Sequence, residues 1–317
     1  MDRRTFVFDS AAIAAAAALH VPPGTTNDIV KYFQDQLRGH VQADGLIGPQ
    51  QVLPTVVQQA GTLAGLASGA TGKGRKQLWQ TTAAYGIMTS WLYRVSGATR
   101  EGRQWGTRMI DLAHRGDEPQ LVAHALVNRA MVEADRGDGR STLEFAASAV
   151  DNERRMCPKI RVQALQAQAH GYALIGDRAG ADIALNRAEP LVDKIHDGYP
   201  WGLAVGGARY LDAQRATCYT RLRLGSEAAA LWPDIIADRR VGVRDRAVFT
   251  ARYAASLADA KQPEAAVAAL QDAVPSAAVG SGRLRTELLT AWDRLEPWRY
   301  ATPGKQARRV LADIDLL

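Results

Sequence analysis

The strongest constraint on how this chain can fold is its internal self-similarity. Residues 162–188 read VQALQAQAHGYALIGDRAGADIALNRA, with Ala169 and Tyr172 on a first helical stretch, a Gly176-Asp177 break, then Ala181, Leu185 and Ala188. The same frame recurs upstream at Ala130, Gly137-Asp138, Ala146 and Ala149, and downstream at Ala254, Leu257, Ala266, Leu270 and Ala273. A weaker copy holds Ser90, Tyr93, Gly97, Gly102 and Met109. Another, around Cys218, Gly225 and Ala230, loses its large residue because Asp234 falls there. The anchor positions Gly102, Thr142, Ala181, Ala230 and Ala266 lie 40, 39, 49 and 36 residues apart, and the longest gap holds an insertion from His196 to Gly207. A repeated two-helix unit cannot bury its apolar face alone, so successive units must stack.

The rest of the chain agrees with helices. Alanine is abundant, aromatics are 7% of the residues and β-branched runs are short, which favours close helix packing over sheets. Helical periodicity covers about 27–44, 49–67, 75–96, 100–115, 118–136, 140–155, 159–175, 178–195, 207–224, 227–239, 243–260, 263–274 and 281–295. Stop signals separate these stretches at Gly45, Gly48-Pro49, Gly69 to Gly74, Gly97, Gly137, Gly176, Gly225 and Pro263. The offsets match the small and large positions of a tetratricopeptide repeat. The expected fold is therefore all-α, with tetratricopeptide-like helical-hairpin repeats forming a right-handed solenoid over residues 25–317. A generic helical bundle is the alternative.

Residues 1–24 form a separate N-terminal segment. Arg3-Arg4-Thr5-Phe6-Val7 before an Ala-rich stretch has the look of a twin-arginine export signal. However, Asp9 interrupts the apolar run and no small-x-small cleavage site precedes Pro22-Pro23. No window reaches the roughly 20 apolar residues that span a bilayer, so a cytoplasmic protein without a membrane partner is expected. The formal net charge of +6 comes from arginines scattered along the chain, the pattern of solvated helix faces. Cys157 and Cys218 form no CxxC or Cys/His cluster, which suits a reducing compartment.

Catalytic and cofactor patterns are missing. The six histidines make no HExxH or close ligand pair. In the Gly69–Gly74 stretch Lys73 is followed by Gly74, not by Ser or Thr, so the segment reads as a flexible connector and not a phosphate loop. There is no GxSxG elbow, and no GxGxxG follows a strand. A non-enzymatic protein without cofactor or metal is the expectation.

Several segments resemble the C-terminal tetratricopeptide-like sensor region of actinobacterial helix-turn-helix regulators of the Xre type. They are residues 32–37 (YFQDQL) with Gly48-Pro49, residues 168–177 (QAHGYALIGD), residues 243–247 (VRDRA), and residues 295–299 (LEPWR) before Thr302-Pro303. The helix-turn-helix that precedes the repeats in that family has no counterpart here, and Arg-Arg-Thr-Phe resembles the linker that follows it. The resemblance implies a regulatory sensor, in transcriptional or developmental control, that takes a peptide, small molecule or protein in a concave groove. Acting on DNA with a helix-turn-helix partner and acting as an exported binding protein are the alternatives, and a homodimer is left open.

In tetratricopeptide arrays the first helix of each pair lines the groove. Carried onto this chain, those positions are Trp91 and Arg94, then His124, Val127, Met131 and Asp135, then Gln163, Gln166 and His170. The later copies give Asp212, Arg215 and Tyr219, then Val248 and Asp259. Gln amides, Arg guanidinium forks and apolar Trp, Met and Tyr surfaces suit an extended ligand. Packing roles compete for Trp79, Trp91 and Trp105 and for His170. Asp212 and Arg215, three apart on one helix, have the spacing of an intrahelical pair, and Tyr199-Pro200-Trp201 reads as a lid or an inert loop.

Overall fold

The computed structural model describes residues 24–150, 156–196, 209–279 and 282–317. The N-terminal segment with its twin-arginine-like run, the Tyr199-Pro200-Trp201 insertion and the end of the helix expected to reach residue 155 lie outside them. The described residues form α-helices and two short 3-10 segments, with no strand. The helices are α1 (Thr26–Ile47), α2 (Pro49–Gly69), α3 (Gly72–Val95), α4 (Thr99–Arg115), α5 (Pro119–Asp135), α6 (Gly139–Val150) and α7 (Pro158–Leu174). They continue with α8 (Arg178–Val192), α9 (Tyr210–Arg221), α10 (Gly225–Ala237), α11 (Val243–Asp259), α12 (Pro263–Ala273), α13 (Gly282–Arg294) and α14 (Thr302–Ala312). Local chemistry sets the starts. Proline opens α2, α5, α7 and α12, where its missing N–H costs nothing, and the Asp177 and Asp138 carboxylates accept the N–H of Gly180 and Ser141.

Five hairpins turn in one way. The N–H groups of Ala98, Asp138, Asp177, Leu224 and Gln262 bond back five residues to Tyr93, Glu133, Tyr172, Tyr219 and Leu257 at 2.9–3.0 Å. The residue before each donor is left-handed: Gly97, Gly137, Gly176, Arg223 and Lys261. This is the Schellman ending, which satisfies the orphan carbonyls of the first helix. The next helix then begins with a buried small residue at Gly102, Thr142, Ala181, Ala228 or Ala266.

That geometry corrects the sequence frame. The fourth anchor is the buried Ala228, whereas Ala230 is exposed. The large position holds Trp232, which is fully buried with its indole N–H on the Thr220 and Ser256 hydroxyls, not Asp234. The anchors are thus 40, 39, 47 and 38 residues apart. The misreading arose because Gly225 was taken for the left-handed turn residue. Arg223 occupies that role despite the strain of a positive φ for a residue with a Cβ. Two further differences appear. The glycine-rich connector shrinks to Ala70 and Thr71, with Lys73 and Gly74 already helical, and residues 302–312 form a helix that the periodicity missed.

The helices stack in two layers. The odd-numbered helices contact one another in succession along an inner layer, and the even-numbered ones pack outside them. Alanines at the crossings, such as Ala164, Ala167, Ala169, Ala181 and Ala188, are wholly buried and let the backbones approach. The inner layer curls back on itself. The Arg244 guanidinium of α11 grips the Asp44 carboxylate of α1 through two bonds of 2.7 Å, and α13 meets α3, where a Cβ on Gly282 would lie 2.3 Å from the Gly97 Cα.

Two outcomes are expected. Ala228→Leu overpacks a closed crossing and costs about 1–3 kcal/mol, while Ala230→Leu changes stability by less than about 0.5 kcal/mol; urea denaturation of both variants compares them. Arg244→Met strands Asp44, whose side chain is 4% exposed, and lowers stability by about 3 kcal/mol. Adding Asp44→Leu recovers part of that loss, and a double-mutant cycle measures the recovery.

Candidate functional site

The curled inner layer lines a half-open cavity of about 590 Å³, within the size range of small-molecule sites. Every odd-numbered helix contributes to its wall, joined by Ile235 of α10 and the 238–242 connection. Alternate helices run parallel, so the lining side chains fall into levels. Leu37, Val41, Ile87, Met88, Trp91, Val127, Met131 and Phe249 give apolar surface. The Trp91 indole donates to Asp44 at 3.2 Å, so the ion pair that closes the layer also fixes a cavity wall.

A polar relay crosses the middle of α7 and α9. The Gln166 amide donates to Gln214 Oε1 at 2.9 Å, and Tyr210 donates its hydroxyl to Gln166 Oε1. His170 Nε2 lies 3.0 Å from Gln214 Oε1 and its Nδ1 lies 3.5 Å from Cys218 Sγ. Nothing in the sequence signalled Tyr210 or Gln214, because the α9 frame was misplaced.

Charged groups line the wall along its length, and one cluster, around Arg94, Arg221, Arg252 and Arg283, lies at the end where α3 and α9 finish. Arg94 donates to Asp135 at 2.7 Å and Arg252 to Glu287 at 2.8 Å, while Arg283 lies 3.7 Å from Asp245. Burial works against ionisation of Asp135, but Arg94, with Arg283 and Arg221, outweighs it and holds the carboxyl below its ordinary value. Burial, and then Arg252, bring Arg283 down to about 10, so it stays charged at neutral pH.

Seven of the ten principal groove residues meet at this cavity: Trp91, Arg94, His124, Met131, Gln163, Gln166 and His170. Val127 and Asp135 join them. Asp212, Arg215 and Tyr219 do not line it. Arg215 reaches Asp182, Asn186 and Glu189 on α8, and the Tyr219 hydroxyl donates to Asp182. The Asp212–Arg215 pair does not form, since Asp212 lies instead 3.6 Å from Arg209. The cause is the same two-residue frame error. Leu174 and Arg221, which end α7 and α9, are 47 apart, so the counterparts of Gln163, Gln166 and His170 are Tyr210, Ala213 and Thr217. All three line the cavity. Val248 is in the core, and Asp259 faces Arg223 and Arg294. Of the tryptophans, Trp79 is buried packing, and Trp105 carries Arg108 against its ring.

Titration of this wall is unusual. His124 and His170 are each 2% exposed. Burial, with Lys159 adding to it, depresses His124 to about 3. Burial and Arg221 push His170 well below its ordinary value. Burial likewise pushes the Cys218 thiol up to about 12, against the pull of Arg221 and Arg252, which leaves it unreactive at neutral pH. Among the described residues no group of His, Cys, Asp or Glu is placed to hold a metal ion.

Both histidines are neutral in the folded protein, and the unfolded chain takes up protons on them below about pH 6.5. Stability therefore falls as pH drops from 6.5, each histidine adding a slope of about 1.4 kcal/mol per pH unit well below 6.5. In His124→Gln and His170→Gln the dependence of Tm on pH between 6.5 and 5 becomes shallower, as scanning calorimetry at stepped pH measures.

Comparison of the chain with protein-family models, with curated proteins and with solved structures finds no match in any of the three.

Proposed function

We propose that this chain is a non-enzymatic regulatory sensor, built of tetratricopeptide-like hairpins in a right-handed solenoid, that binds its ligand in the cavity of the inner layer. The observation that carries this reading is the makeup of the cavity wall. Seven helices each turn one face inward, and together they supply apolar surface, an amide and hydroxyl relay, and an arginine cluster at one end. Mostly apolar concave walls with a few convergent polar groups are what ligand sites offer. The Cys218 thiol behind His170 is pushed up to about 12 and burial lowers the imidazole's affinity for a proton, so the two do not form an activated nucleophile and base. That supports binding over catalysis. A cytoplasmic setting and a role in transcriptional or developmental control fit the resemblance to regulator sensor regions, and no helix among the described residues is long and apolar enough to cross a membrane.

Signalling follows from the closure. A ligand that prefers the curled arrangement shifts the population toward it only by as much as its affinity differs between the closed and opened forms. The Asp44–Arg244 contact is the element that such a ligand biases.

The test is a thermal-shift screen of fractionated metabolites and peptides. A ligand at 100 times its Kd adds about 2.7 kcal/mol to stability, which raises Tm by several degrees in a chain of this size. Met131→Trp, which fills the cavity, abolishes the shift, and Arg215→Ala, on the far side of α9, leaves it intact. A fraction that stabilises Met131→Trp as strongly as the wild type removes the cavity from consideration as the site.

A further inference from the structure

Three of the four arginines clustered at that end of the cavity have a carboxylate: Arg94 has Asp135, Arg252 has Glu287, and Arg283 faces Asp245. Arg221, the last residue of α9, has none. Its Nη1 is buried without a hydrogen-bond partner, and among the described residues no carboxylate lies within ion-pairing distance of it. The side chain lines the cavity wall. Burial lowers its pKa and the repulsion of Arg252 lowers it further, with partial relief from the more distant Asp135 and Glu287 carboxylates. A guanidinium nitrogen taken out of water without a hydrogen-bond partner is a costly arrangement, and a fold keeps one where something else completes it.

We infer that the Arg221 end of the cavity is an anion subsite, which takes the carboxylate or phosphate of a small molecule whose apolar body lies along Met88, Trp91, Met131 and Phe249. This deepens the ligand-cavity reading and rests on it. A guanidinium fork suits either anion through paired N–H bonds, which strengthen in a site shielded from water. A second unmet group points the same way along the cavity. The Gln163 amide oxygen is buried with no partner, and it sits seven residues before His170 on α7, about 10 Å along the helix axis. His170 is itself within the field of Arg221. A ligand with an anion at one end and a hydrogen-bond donor further along the cavity satisfies both atoms. An extended peptide suits the site less well, because α1 meets α11 and α3 meets α13 around it.

Calorimetric titration of the full chain at low salt tests the subsite with three probes of one shape: 4-phenylbutyrate, 4-phenylbutyl phosphate and the neutral 4-phenylbutanol. In the wild type at least one anion binds tenfold or more tighter than the alcohol, the gain of a charge-assisted bond, and the tighter anion assigns carboxylate or phosphate. Arg221→Gln removes the preference and Arg221→Lys keeps part of it. In the absence of probe, the Tm of Arg221→Gln equals or exceeds the wild-type value, which separates a ligand role from a structural one. Equal binding of all three probes in the wild type, all abolished by Met131→Trp, leaves the cavity reading standing and overturns the anion subsite. An anion preference that survives in Arg221→Gln overturns it also. Failure of every probe to bind at millimolar concentration overturns the subsite. Binding that persists unchanged in Met131→Trp removes the cavity with it.

Discussion

An array of stacked helical hairpins has a free face on each terminal helix and an open groove along its inner side. Here the groove is closed by one ion pair between residues 200 positions apart, Asp44 on α1 and Arg244 on α11. Two parallel bonds of 2.7 Å, a third from the same guanidinium to the Asp44 carbonyl and a fourth from the Trp91 indole to its carboxylate surround the acid. A buried pair of this kind gains little over an apolar substitute, because desolvation offsets most of the attraction. What it supplies is geometry, since a bidentate fork accepts a narrow range of positions. The Gly97–Gly282 contact adds a second constraint, because two glycine backbones pass where no side chain fits.

Closure changes the physics of the enclosed side chains. Once the inner faces turn toward one another and away from bulk water, the same residues become a cavity wall of low polarity. His124 and His170 are held neutral, the Cys218 thiol is held protonated, and the Arg221 Nη1 keeps an unmet hydrogen bond. The burial of Cys218 is local, among Ala169, Ala173, Ala181 and Leu185, whereas His124, His170 and Arg221 line the cavity itself. Charge on a ligand is felt strongly there because screening is weak. The pairing of Arg94, Arg252 and Arg283 with carboxylates fixes three of the four guanidinium groups in place, which leaves the fourth as the one with bonding capacity to spare.

How much of this could be read from the chain differs by element. The helical hairpins around Ala130, Ala169 and Ala254 were legible, because small residues at crossings and glycines with positive φ are chemical requirements that leave a mark in sequence. The α9–α10 hairpin was misread by two residues because Arg223, not a glycine, takes the left-handed position. That error moved three predicted groove residues off the cavity wall, and Arg215 and Tyr219 pair instead with Asp182 on α8. Helix α14 was missed because its buried side is built from Pro303, Gly304, Ala307 and Leu311, too sparse an apolar stripe to stand out.

Sequence alone therefore determined the helical class and most hairpin turns, since propensity, capping and apolar spacing are local properties. Tertiary structure alone decided that the inner layer closes, that Asp44 and Arg244 meet, and that the Arg221 Nη1 ends up buried without a hydrogen-bond partner. Those outcomes depend on small rotations accumulated from one hairpin to the next. Such rotations are set by side-chain packing at each crossing, and no local pattern records their sum.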